Sequence, residues 1–241
     1  LHAAAERAIP AVVELGGKSA AVVMPDADLD KVVNSAKGAI FGQAGQICSA
    51  MSRVIAHKSV KNELVDKLSN LANSLKVGHG SEDGTDLTPV ISEEQLQKIE
   101  NYSRSGQQAG ANAVVGGKRV DRKGYFFEAT VFDNVQPEMT IAQEEIFGPV
   151  LSVLEYSDEE EAVSIANNTE FGLAAGVFTN DVNKATSMAS QLNGGQVYVN
   201  SWFTGSVATP FGGYKQSGYS REKGQEAIKS YLQLKNIGIQ L

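Results

Sequence analysis

The chain has 241 residues, of which 42% are hydrophobic and 20% charged, enough apolar content for one large core or two smaller ones and too much for a disordered chain. A net charge of −7 argues against nucleic acid or an anionic membrane as the main partner, and no apolar run nears the roughly 18 residues of a membrane helix. One cysteine, Cys48, excludes a disulfide within the chain, and with three scattered histidines it offers no zinc-ligand spacing; a cytoplasmic protein fits best.

The first residues, LHAAAERAIPAVVELGG, lack the basic start and apolar stretch of a signal peptide. Ala20–Met24 reads as a short buried strand, and Asp28–Phe41 as a helix capped by Asp28 or Asp26, with Leu29, Val32, Val33, Ala36 and Ile40 on one face. Ser52–His57 is strand-like and Lys61–Lys76 helical, and Ser92 caps a third helix. Ala113–Val115, Tyr125–Val131 and Val150–Glu155 follow as strands. Ser157–Asn167 then has the acidic start that suits the positive end of a helix dipole. Leu173–Phe178 is a strand, Val182–Leu192 a helix, Gln196–Asn200 a strand, Glu222–Ser230 a helix, and Tyr231–Leu241 alternates like a terminal strand. The alternation predicts an α/β fold, with a mainly parallel twisted sheet and helices on both faces.

Four segments interrupt this pattern: Glu14-Leu15-Gly16-Gly17-Lys18, Gly42 to Ala50 around Cys48, Glu144 to Val150, and Pro210 to Gly218 followed by Arg221-Glu222. Each has an ordinary reading alone. Gly17-Lys18-Ser19 looks like the end of a phosphate-binding loop, but Val12 stands where that loop needs its first glycine. An isolated cysteine is more often a small buried hydrophobe than a nucleophile, yet Cys48 lies in a loop of small residues between a helix and a strand, where a side chain can face a ligand. His57 is the one candidate base for a cysteine peptidase, and it sits inside a predicted strand with no evident orienting partner.

Together the four segments resemble, in order and spacing, the motifs of the aldehyde dehydrogenase superfamily. Cys48 follows Glu14 by 34 positions and Glu145 follows Cys48 by 97, and the resemblance runs from about Ala11 to Leu241. It implies NAD(P)-dependent oxidation of a small aldehyde to an acid, with Cys48 as nucleophile and Glu14 as the base that releases the acyl group. By the same resemblance Glu145 and Phe147 contact the nicotinamide ribose and ring, beside Leu15 and Gly16. Ile47, Ser49, Trp202, Phe203, Thr204 and Phe211 would shape the aldehyde tunnel. Glu14 favours water over coenzyme A as acyl acceptor.

The chemistry is coherent with those residue types. A thiolate turns a flat carbonyl into a tetrahedral thiohemiacetal whose oxyanion can expel hydride, and a sheltered carboxylate can then activate water. Main-chain N–H groups near Cys48 are expected to lower its pKa and to form half of an oxyanion site. No Gly-x-Gly-x-x-Gly run is present, so the family's cofactor domain would lie upstream of Leu1 and this chain would be a catalytic fragment, inactive as a dehydrogenase by itself. The resemblance divides it into residues 1–16, the tail of the cofactor domain; 17–216, catalytic; 217–231, a return toward the cofactor domain; and 232–241, a strand for pairing in a homodimer or homotetramer. Two other readings stay open: a non-catalytic folding and oligomerisation module, and a residual ester or thioester hydrolase acting through Cys48.

Overall fold

A computed structural model describes all 241 residues. Seven strands form the central sheet: β1 (Ala20–Val23), β2 (Arg53–His57), β3 (Asn112–Val115), β4 (Thr130–Asp133), β5 (Val150–Tyr156), β6 (Ala174–Phe178) and β7 (Gln196–Val199). Their spatial order is β3-β4-β5-β2-β1-β6-β7, and every neighbouring pair is parallel except β3 with β4. The interior strand β1 is wholly buried and reads as the continuous apolar run that a strand covered on both faces requires.

Five helices cover the sheet: α1 (Leu29–Ala36), α2 (Lys61–Ser74), α3 (Glu93–Gln108), α4 (Glu159–Asn167) and α5 (Val182–Gln191). The connections from β1 through α1 to β2, and from β2 through α2, run toward one edge. Those from β5 through α4 to β6, and from β6 through α5 to β7, run toward the other. Right-handed crossovers therefore place the two sets on opposite faces. Asp28, Ser92, Asp158 and Asp181 each accept main-chain N–H groups at a helix start, which fixes where these helices begin. One continuous cluster of 51 buried residues links elements from Ala20 to Trp202, so this stretch is a single body.

Three expectations need adjusting. The helix begun at Asp28 ends at Ala36 and widens into a π-helical turn, Lys37–Phe41, a distortion common beside functional sites. The strand expected over Tyr125–Val131 starts only at Thr130; Phe126 and Phe127 are buried, but they are joined to the rest by one isolated bridge, Arg119 with Phe127. Burial made the run look like a ladder strand. Glu226–Tyr231 is a 3-10 helix, shorter and later than the expected Glu222–Ser230, and residues 232–241 pair with no strand of this chain. An extended segment needs a neighbour to supply its hydrogen bonds, and the single chain offers none there. No helix is long and apolar enough to cross a membrane.

Candidate active site

The segments carrying Gly16-Gly17, Cys48 and Glu145 each lie just before a parallel strand: β1, β2 and β5. The site therefore sits at the amino ends of the strands, opposite to the carboxyl-end crevice usual in open α/β sheets.

After the π-helical turn the chain makes a tight left-handed turn, with φ of 50° at Gln43, 53° at Ala44 and 70° at Gly45. Non-glycine residues resist this conformation by about 1 kcal/mol or more each. Surrounding contacts hold it: Ala44 is buried, and the Gln46 carboxamide oxygen accepts the Ile91 N–H at 2.9 Å. At Gly45 a Cβ would lie 2.0 Å from the Gly148 carbonyl, so only glycine lets the nucleophile turn pack on the Glu145–Pro149 segment.

The turn leaves Cys48 half-buried. Burial pushes its thiol pKa up; the Ser49 N–H pulls it down, the charges of Glu14 and Glu145 push it up, and its own N–H pulls it down again. The net shift is upward. The expectation of a lowered pKa is thus corrected: the Ser49 and Cys48 N–H groups favour the thiolate, but desolvation and two carboxylates outweigh them.

Glu14 lies in a two-residue strand, Val13–Glu14, antiparallel to Gly218–Tyr219. Both carboxylate oxygens are shielded from solvent without a hydrogen-bond partner. Burial raises the Glu14 pKa, Glu222 raises it further, and Arg221 and Lys223 oppose them. At Gly212 a Cβ would lie 3.0 Å from Glu14 Oε1, so the Pro210–Gly213 turn closes directly over the carboxylate.

Glu145 is half-buried, and its Oε1 accepts the Gly17 N–H at 2.9 Å. Burial raises its pKa, against the Gly17 N–H, Lys98 and Lys18. Gly16 lies beneath it: a Cβ there would meet Oε2 at 2.6 Å. Phe147 is left-handed, with φ 56°, and lines a narrow crevice together with Cys48, Ile47 and Glu145. On the outer side Glu145 opens onto a groove of about 530 Å³ that includes Lys98 and Phe171.

On the other side of Cys48, Ile47 and Ser49 line a cavity of about 520 Å³ with Phe203, Thr204 and Phe211. Trp202, expected in that wall, is not part of it. It is only 9% exposed, packs at a tilt of 53° against Tyr198 with ring centroids 5.4 Å apart, and gives its indole N–H to the Ser49 carbonyl at 3.0 Å. Leu15 is 46% exposed and engages the site only through its main chain, donating to the Ser217 carbonyl at 3.0 Å.

Four participants carried no motif signal that singled them out. Tyr198, in β7, and Lys223 line the 520 Å³ cavity. Gln95, in the first turn of α3, donates to the Ile146 and Phe147 carbonyls at 3.0 and 2.9 Å, and Lys98, one helical turn on, bears on Glu145. A helical spacing of three was the one available clue. His57 stands at the far end of β2 from Cys48, roughly 13 Å along the strand at about 3.3 Å per residue, and its Nδ1 contacts Ser59. A Cys48–His57 dyad is thereby excluded.

Behind the site Lys18 and Arg53 are each 1% exposed. Arg53 donates to the carbonyls of Lys18, Ile165 and Ala166 at 3.0, 3.0 and 2.8 Å, and Lys215 to those of Asn167 and Thr169 at 2.8 and 3.0 Å. These cations close the carboxyl end of α4, where carbonyls and the helix dipole supply the negative counterpart. Lys18 Nζ has no hydrogen-bond partner, and burial, with the Arg53 charge, brings its pKa down to about 7.

Comparison with known proteins places this geometry. The family model described as "Aldehyde dehydrogenase family" matches residues 1–237. The chain is 43% identical over 228 residues to the mitochondrial benzaldehyde dehydrogenase of Antirrhinum majus, covering 95% of this chain and 43% of that protein. It is 42% identical over 233 residues to a betaine aldehyde dehydrogenase of Brucella melitensis, covering 95% and 48%. Among solved structures, the NAD+ complex of an aldehyde dehydrogenase from Bacillus cereus superposes with a TM-score of 0.93 at 42% identity, over 95% of this chain and 47% of that one. The chain spans about half the length of the relatives it matches.

Proposed function

The chain belongs to the aldehyde dehydrogenase family, and on that premise we propose that it forms the catalytic half of an enzyme oxidising an aldehyde to a carboxylic acid with NAD(P). The observation that carries this reading is the convergence on one sulfur: Cys48 lines the Glu145–Phe147 crevice, its neighbours Ile47 and Ser49 line a second cavity, and the charge of the solvent-shielded Glu14 carboxylate acts on its thiol. The cofactor's nicotinamide ribose fits the Glu145 groove. One carboxylate oxygen is committed to Gly17, which leaves Oε2 to accept hydroxyls, and Lys98 borders the same space.

In this reading Cys48 Sγ, once deprotonated, bonds to the carbonyl carbon, and the N–H groups of the Cys48 turn receive the developing oxyanion. A nicotinamide held beside Glu145 and Phe147 would supply the hydride acceptor, and Cys48 then carries the acyl group as a thioester. Glu14 takes a proton from water as the water adds to that thioester, and the acid departs with Sγ as leaving group. A raised carboxylate pKa suits this task, because it makes Glu14 a stronger base toward water. Pairing of Val13–Glu14 with Gly218–Tyr219 supports the division in which residues 217–231 return to the segment 1–16.

The activity belongs to a protein in which this chain is joined to the half of its relatives' length that it does not match. There, Cys48→Ala should abolish aldehyde-dependent NAD(P)H formation; retained oxidation would remove the assignment. The 241-residue chain alone should bind NAD weakly in a titration. It should retain at most slow ester hydrolysis, since Cys48 and Glu14 are both present. We further propose a homodimer or homotetramer paired through residues 232–241, whose Leu234, Ile237 and Ile239 are exposed. A free thiol points to a reducing compartment, the cytoplasm in the first instance.

A further inference from the structure

The wall of the 520 Å³ cavity beside Cys48 has a one-sided chemistry. No aspartate or glutamate lines it, and its one charged residue is Lys223. Several of its polar groups are already used: the Thr204 hydroxyl meets Ser201, Thr209 donates to the Ser206 carbonyl, and Gln196 Nε2 donates to the Gly195 and Pro210 carbonyls. Tyr198, Lys223 and the Ser49 hydroxyl are among the donors that make no hydrogen bond to the chain. The Tyr198 hydroxyl makes no hydrogen bond although the residue is only 8% exposed. Lys223 Nζ forms no ion pair and rests over the Phe211 ring, 5.1 Å from its centroid. A phenol in the cavity wall with no partner in the chain is free to donate to a ligand, and an ammonium at the mouth of an acid-free cavity favours negative charge.

We propose that this cavity selects aldehydes that carry a carboxylate at the end remote from the carbonyl, held by Lys223 at the cavity mouth, with the Tyr198 hydroxyl donating to the substrate nearer Cys48. The proposal rests on the dehydrogenase reading and narrows its substrate. It also sets this chain apart from a site for a cationic aldehyde, which would need acidic or aromatic-cage groups where Lys223 stands.

The test uses three aldehydes of one shape and different charge: 4-carboxybenzaldehyde, methyl 4-formylbenzoate and 4-(trimethylammonio)benzaldehyde. In the protein that joins this chain to its cofactor half, kcat/KM should be roughly tenfold higher for the acid than for the ester, about the effect of one charge-assisted hydrogen bond, and lowest for the cation. Lys223→Gln should erase the preference mainly through KM, and Tyr198→Phe should reduce turnover of all three. Equal rates for acid and ester, or a preference for the cation, would overturn the proposal. A second measurement needs no catalysis. Cys48 is the one thiol of the 241-residue chain, so its alkylation by 4-(iodoacetamido)benzoate can be compared with alkylation by the methyl ester of that reagent. The acid should react several-fold faster, with a ratio falling to about one in Lys223→Gln; a ratio unchanged by the substitution would count against the proposal. If none of the three aldehydes were oxidised, the dehydrogenase reading would fall and the alkylation ratio would still decide the charge preference.

Discussion

Gly17 lies directly against the Cys48 carbonyl: a Cβ on residue 17 would come within 2.3 Å of that oxygen. The same residue gives its N–H to Glu145 Oε1 at 2.9 Å. One glycine thus sets the spacing between the nucleophile turn and the carboxylate of the neighbouring crevice. Gly17→Ala must displace main chain, because the obstructing group is the Cys48 carbonyl and not the end of a flexible side chain. Overpacking of this kind costs about 1–3 kcal/mol, so a melting temperature several degrees lower is expected, together with a changed rate of Cys48 alkylation. Unchanged melting and unchanged alkylation would show that the turn yields without consequence.

Glu14 is a carboxylate held in an unfavourable place. Its folded pKa lies above the ordinary 4.5, so the folded state holds its proton to higher pH than the unfolded state does. This term lowers stability as pH rises from below 4.5 through the folded pKa, and the full cost is present above that. Glu14→Gln should therefore melt no lower than the parent chain at pH 8, and the difference between them should shrink as pH falls toward 4. In the enzyme carrying both halves, the same substitution should slow acyl release by at least about a hundredfold, as expected for loss of a general base. Because the Glu14 charge also raises the thiol pKa, the midpoint of the Cys48 alkylation profile should move down in Glu14→Gln. A midpoint that stayed fixed would separate the two groups electrostatically.

Lys18 offers a second pH signature with the opposite course. Its pKa falls from 10.5 to about 7 on folding, so between those values the unfolded chain binds the extra proton. Stability from this group therefore rises with pH across that window and is lowest below pH 7. Lys18→Met, an uncharged, unbranched side chain one atom shorter, should stabilise the chain most at pH 6 and progressively less toward pH 10. Thermal melts of both proteins across that range would check it; parallel curves would mean that the Lys18 ammonium finds a partner inside the fold.

The contrast between Lys18 and Cys48 shows what could be read in the sequence. The turns around Gly16-Gly17, Gly45 and Gly212 are legible because close main-chain approach demands glycine at fixed positions. The alternation of β1 to β7 with the helices is legible through periodicity. Lys18 stood inside a motif, yet its partner Arg53 lies in β2, and the carbonyls that justify both come from the end of α4. Nothing local signals such a cluster. Phe126 and Phe127 failed in the other direction: their burial imitates a strand where hydrogen bonding is a single bridge. Residues 232–241 have a strand's alternation, but a ladder depends on a partner outside the chain's own edges.

Trp202 illustrates the same gap and leads to a last prediction. Its place after β7 suggested a substrate contact, yet the indole faces inward, so close to β6 that a Cβ at Gly176 would meet Cζ3 at 2.7 Å. Its N–H binds the carbonyl of Ser49, the residue whose own N–H pulls the Cys48 thiol pKa down. Ser49 is buried, so removing the donor leaves that carbonyl unsatisfied at a cost of about 1–3 kcal/mol. Trp202→Phe should retain the ring contact with Tyr198, lose stability by that order, and shift the Cys48 alkylation midpoint upward as the Ser49 N–H drifts from the sulfur. Gly176→Ala, which pushes the ring while leaving the indole N–H in place, should move the midpoint in the same direction. A stability loss in both variants with an unaltered thiol profile would reduce Trp202 to a packing residue.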